Sequence, residues 1–197
     1  MDKIEICNLA LSRIGVENIE LMTEASEPAR ACSQFYDHAR RIVLRKYPWT
    51  WATRRVALAA LPDHPPNFDY AYRYPADCVS IRKLYCPKYD NNPAYTTYQL
   101  GGGDDGRVLY TDVPGAICEY TADIKDCSLM DDQFVEALSW KLAAAVAFKL
   151  TGSAQNVQMA EQQYAMLFLD AAANNDDEQN TFDLQPDSLI RSRFEGV

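Results

Sequence analysis

Apolar positions recur at helical spacing at both ends of the chain and alternate in its middle. Ile4, Cys7, Leu11 and Ile14 predict a short amphipathic helix over 2–15, which Gly15 can stop. Ser26 is placed to cap a second helix, with Pro28 tolerated in its first turn. Ala29, Cys32, Phe35, Tyr36, Ala39, Ile42 and Val43 carry that helix to Tyr47, and Pro48 ends it. From about 50 to 125 the pattern turns to β. Runs at Thr53–Leu58, Cys78–Tyr85, Tyr95–Leu100, Arg107–Thr111 and Ala116–Thr121 are separated by Pro- and Gly-rich turns, which suits an antiparallel sheet built from hairpins. Helix returns after Ser128, read as a cap with Asp131 in the first turn. Phe134, Leu138, Leu142, Ala145 and Phe148 follow. Ser153 opens a last helix through Val157, Ala160, Tyr164, Leu167, Phe168 and Ala171.

These elements predict an α+β chain. A four-helix bundle formed by both chain ends (1–50 and 126–173) carries an inserted antiparallel β region (51–125). An extended, acidic C-terminal tail (174–197) follows. No internal repeat is evident.

Composition changes little. Apolar residues are 48% of the 197, enough for a core, and charged residues are 24%. No run is apolar enough to cross a membrane, and the first residues do not read as a signal peptide, so synthesis in a cytoplasm is expected. The six cysteines include no Cys-x-x-Cys pair and read as small apolar packers, with no metal site implied.

Charge is unevenly placed along a chain of net −9. Residues 30–55 hold Arg30, Arg40, Arg41, Arg45, Lys46, Arg54 and Arg55 against Asp37 alone. Residues 170–197 hold seven acids against Arg191 and Arg193. Contacts between complementary regions, within or between copies, are one reading; two solvated faces are the other.

Candidate chemistry is sparse. Gly101-Gly-Gly-Asp-Asp-Gly lacks the Gly-Lys-Ser/Thr ending of a phosphate loop and precedes a strand, so it reads as a hairpin turn. Asp104 and Asp105 lack calcium-loop spacing, and no Gly-x-Ser-x-Gly elbow occurs. No catalytic residue, metal ligand or cofactor is assigned, and a non-enzymatic protein is expected. The alternative is a nucleic-acid-binding regulator using the basic Arg40–Arg55 region, although net acidity opposes tight duplex binding.

Two aromatic segments look architectural. Trp49 and Trp51 sit in Tyr47-Pro-Trp-Thr-Trp-Ala-Thr, where alternation puts both on one side of an extended segment between helix and sheet. Tyr74, Pro75 and Asp77 form the turn of Tyr72-Arg-Tyr-Pro-Ala-Asp-Cys. With Ala10-Leu-Ser-Arg-Ile-Gly, Glu119-Tyr-Thr-Ala-Asp-Ile and Phe134-Val-Glu-Ala-Leu-Ser-Trp-Lys-Leu-Ala, in that order over about residues 3–175, the chain resembles the head-to-tail adaptors of short-tailed phages, the tail tubular protein A type.

That resemblance implies a structural virion protein at the head–tail junction. It forms a homo-oligomeric ring, a dodecamer in the family, between portal and tail nozzle. Double-stranded DNA passes through it, and no membrane is involved. The family offers no catalytic site to carry over. Candidate interface residues on this reading are Arg40, Arg41 and Arg45 in the basic helix, and Asn91, Asn92, Gly102, Asp104 and Asp105 in loops facing the nozzle. Phe182, Leu184, Leu189, Ile190 and Phe194 complete the set, spaced like anchors in a tail laid against portal or a neighbouring copy.

Overall fold

Asp2 caps α1 (Lys3–Arg13) by accepting from the Glu5 amide, while Glu5 reaches back to the Asp2 amide. Ser26 caps α2 (Glu27–Lys46), with Pro28 in the first turn. A 3-10 turn, Thr50–Ala52, leads into the strands β1 (Thr53–Ala57), β2 (Ala60–Leu61), β3 (Tyr70–Arg73), β4 (Cys78–Tyr85), β5 (Gln99–Gly103), β6 (Gly106–Thr111) and β7 (Ile117–Ala122). The chain ends in α3 (Asp132–Thr151) and α4 (Ala154–Glu178). This computed structural model describes residues 1–62, 66–87, 97–103 and 106–178, with only the helical backbone over 168–178.

The strands form two antiparallel sheets, β1-β7-β4 and β2-β3-β6-β5. The single hairpin-built sheet expected from the sequence is therefore not found. Among the longer strands in the described residues, β5 and β6 alone pair as a simple hairpin. β7 is buried along nearly its whole length, so it takes the central place, between the early strand β1 and β4. The Tyr70–Arg73 segment, not among the strand runs expected from the sequence, is also a strand. It pairs with β6 and buries Ala71 and Tyr72.

The expected four-helix bundle formed by both chain ends is overturned. The described residues hold four helices and two sheets of seven strands in all, with the helices weighted toward the C-terminal half. α3 is the reason. It buries Phe134, Val135, Leu138, Leu142, Ala143, Val146 and Ala147, so its apolar surface nearly encircles it and several elements pack on it. α1, α2 and α4 each lie against α3; α1 meets α2 through side chains, Lys3 standing over the Tyr36 ring and beside Asp37, and α2 also reaches β4. The result is a hub with partners around it, and one hydrophobic core joins helices and both sheets.

Two further boundaries differ. Asp131, not Ser128, caps α3, accepting from the amides of Gln133 and Phe134; Ser128 lies in a 3-10 turn capped by Asp126. α4 continues through Asn174 to Glu178, so the first residues of the expected tail are helical. Gly152 ends α3 with φ +65°, a left-handed conformation that suits glycine.

Candidate functional site

Three of the segments singled out in the sequence meet at one joint. Pro48 stops α2 and the chain turns so that Trp49, 1% exposed, sits against Phe134 at the start of α3. The Trp49 indole donates to the Val43 carbonyl at 3.1 Å, tying it to the last turns of α2. Trp51, half-buried, packs on the same Phe134 ring at 4.9 Å and 76°. The segment between them is a 3-10 turn rather than the extended stretch expected, yet both indoles still converge on one ring.

Arg82 completes this joint from the sheet side. Its Nε donates to the Thr121 hydroxyl at 2.8 Å, and its Nη2 reaches the carbonyls of Leu44, Arg45 and Tyr47 at 3.0, 3.0 and 2.8 Å. The last carbonyls of a helix have no intrahelical partner, so one guanidinium from β4 satisfies the C-terminus of α2. Burial pulls the Arg82 pKa downward. A cationic residue inside an apolar strand pattern, Ile81-Arg-Lys, was the available signal for this role.

The Pro-Ala-Asp turn is a second junction. Asp77 Oδ2 accepts from Arg54 on β1 at 2.7 Å, and Oδ1 from the Tyr120 hydroxyl on β7 at 2.9 Å. The Asp77 carbonyl accepts from the Asp123 amide at 2.7 Å, and the Pro75 carbonyl accepts from Cys78. Tyr74 lies 3.1 Å from the Cys78 thiol and under the Arg107 guanidinium, 5.6 Å from ring centroid. Burial, then the Cys78 contact, pushes the Tyr74 phenol up to about 12.

The basic region is mostly neutralised inside the chain. Arg40 is 1% exposed and pairs with Asp123 at 2.7 Å while donating to the Ile124 carbonyl. Within the chain it is therefore a buried strut, where an exposed residue was expected from the sequence. Arg30 pairs with Glu27, Arg54 with Asp77, and Arg55 with Glu119. Arg41 and Arg45 are exposed on α2. Gly102 is an exposed strand residue of β5, paired with Arg107. Asn91, Asn92, Asp104, Asp105, Phe182, Leu184, Leu189, Ile190 and Phe194 lie outside the described residues.

Two clefts flank these junctions. One of about 540 Å³ is lined by Pro48, Thr50, Thr53, Arg55, Arg82, Lys83 and Glu119. In it, Arg55 and Arg82 are already committed to Glu119 and to the α2 carbonyls. The other, about 430 Å³, lies beside the Pro-Ala-Asp turn, where Arg41, Arg73 and Arg107 face Tyr74 and Cys78. Arginines 73 and 107 were not singled out in the sequence. They stand 34 positions apart and meet only because β3 pairs with β6.

No family model matches the chain, and no curated protein matches it. Among the described residues no helix is long and apolar enough to cross a membrane.

Proposed function

We propose that the protein is a head-to-tail adaptor of a short-tailed phage, a structural subunit that rings the genome path between portal and tail nozzle. The observation that carries this reading is the meeting of Trp49 and Trp51 with Phe134. These residues come from separate motifs of the resemblance, and their shared role is to lock helix, sheet and hub together. Asp77 and Tyr120, from two more of those motifs, bond to each other. Motif residues spent on mutual support fit a rigid assembly subunit.

Ring formation needs different, complementary patches on two sides of each subunit. Exposed Phe148, Met159 and Met166 on α3 and α4 offer apolar area for one such patch. Internal pairing of Arg30, Arg40, Arg54 and Arg55 lends little support to the nucleic-acid regulator, which would need those cations for phosphate.

Native mass measurement and negative-stain imaging of the purified protein, alone and co-expressed with the portal and nozzle proteins of the same genome, test the reading. Closed rings, or rings formed on portal, are expected. A chain that stays monomeric in every combination would overturn it.

A further inference from the structure

The cleft beside the Pro-Ala-Asp turn differs from the arginine junctions described above. At those junctions a carboxylate from the same chain, or helix carbonyls, meets the guanidinium. Here Arg41 of α2 and Arg107 of β6 line about 430 Å³ alongside Arg73 of β3, and the lining residues include no acid. Arg41 and Arg107 carry no ion pair among the described residues. Arg107 is held over the Tyr74 ring and hydrogen-bonds to the Tyr74 hydroxyl, which together fix the plane of its guanidinium beside the cleft. Arg40, the neighbour of Arg41 in sequence, is turned inward to Asp123, so the cleft draws on one residue of the basic helix and two from the sheet.

We propose that this cleft receives carboxylates of the acidic C-terminal segment, within residues 170–195, from a second copy of the chain. The inference rests on the ring reading above. Charge complementarity selects the occupant. That segment holds Asp170, Asp176, Asp177, Glu178, Asp183, Asp187 and Glu195 against two arginines, and it is where the chain's net negative charge concentrates. Forked guanidiniums bind carboxylates in pairs, and such charge-assisted bonds set the register of an interface. A DNA backbone suits the cleft less well. Phosphates recur along a duplex and call for a row of cations, whereas the remaining arginines of the 30–55 region are mostly paired internally. A subunit with an acidic segment on one side and a basic cleft on another has the head-to-tail complementarity that closes a ring.

Zero-length carbodiimide cross-linking tests this directly. The Arg41→Lys variant places an amine in the cleft, and it is prepared as a mixture of isotopically heavy and light full-length chains. Native mass of the same sample reports assembly independently. Heavy–light cross-links between Lys at position 41 and acids of 170–195 are expected, with a several-fold loss as salt rises from about 0.1 to 1 M. Assembly without such links, or links only within one copy, sinks this proposal and leaves the ring reading standing. Absence of any assembly sinks both. A second variant, R41E/R107E, is checked for folding by circular dichroism. Weakened self-association supports the proposal. Unchanged self-association with reduced binding of a fluorescent duplex oligonucleotide would assign the cleft to DNA and overturn it.

Discussion

The Trp49 indole meets the Phe134 ring edge-on, with centroids 5.2 Å apart and planes at 86°. The two residues are 85 positions apart in the chain; Trp49 lies just beyond the end of α2 and Phe134 in the first turn of α3. Trp49→Ala should cost about 3–5 kcal/mol, since the ring is buried. Trp51→Ala, half-exposed, should cost clearly less. A double-mutant cycle between positions 49 and 134, read by urea unfolding, should return a coupling of about 0.5–1.5 kcal/mol. Additive losses would mean that the two rings are neighbours without interacting.

Arg82→Met keeps much of the aliphatic stem but strands the carbonyls at the end of α2. A loss of roughly 1.5–3 kcal/mol is expected, as for hydrogen bonds to a charged group. Hydrogen exchange should rise first in amides of the last turns of α2. A uniform rise across the chain would instead indicate a general loss of packing.

Arg40 and Asp123 form a buried pair, so removing one partner should be worse than removing both. Asp123→Ala leaves a guanidinium in the core and should cost about 3–5 kcal/mol. R40M/D123A should recover part of that loss in thermal melting. No recovery would show that Asp37 or the Ile124 carbonyl, and not Asp123, compensates the charge.

Glycine at 101 lets the Tyr110 ring lie against β5. A Cβ there would stand 2.3 Å from Tyr110 Cε2. Gly101→Ala should destabilise by about 1–3 kcal/mol in the native background. In a Tyr110→Ala background, the same change should be neutral or slightly stabilising. Equal effects in both backgrounds would exclude the ring as the obstacle.

Burial pushes the Cys118 thiol from its usual value near 9 up to about 12, with smaller contributions from Cys78 and Glu119. Burial and the bond to Asp77 likewise raise the Tyr120 phenol to about 12. Both groups hold their protons more tightly folded than unfolded. The unfolded chain releases them first, so stability should fall as pH rises from about 9 to 12. Melting temperature against pH reads this, and Cys118→Ala should flatten part of the slope. Below pH 8 these two groups should contribute no slope.

Helix positions were largely legible because each long helix announces its own period. Ser26, Pro28 and Pro48 bound α2, and the apolar spacing of Phe134, Leu138 and Leu142 reveals α3. Their arrangement was not legible. α3 carries apolar side chains nearly all round, and periodicity alone cannot say how many elements will pack on such a surface. The sheets were misread for a related reason. Adjacent runs suggest hairpins, but β7 bonds to β1, some sixty residues earlier, because only a central position buries both its faces. Trp49 and Trp51 stood out as bulky residues beside a proline. Arg82 and the Arg73–Arg107 pairing did not, because their roles depend on strand register. Arg40 was grouped with Arg41 by adjacency, yet neighbours on a helix point about 100° apart, and one is buried while the other is exposed.

α3 is also made late. When the ribosome has completed α1, α2 and all seven strands, the surface on which Trp49, Trp51 and both early helices settle is still unmade. The nascent chain must carry those apolar faces uncovered until residue 151 has emerged, and folding then joins partners more than eighty residues apart. Truncation before residue 132 should therefore yield a sticky chain that seeks chaperones, rather than a smaller stable domain. A ribosome-bound series of increasing length, probed by protease, should show protection appearing abruptly once α3 is free.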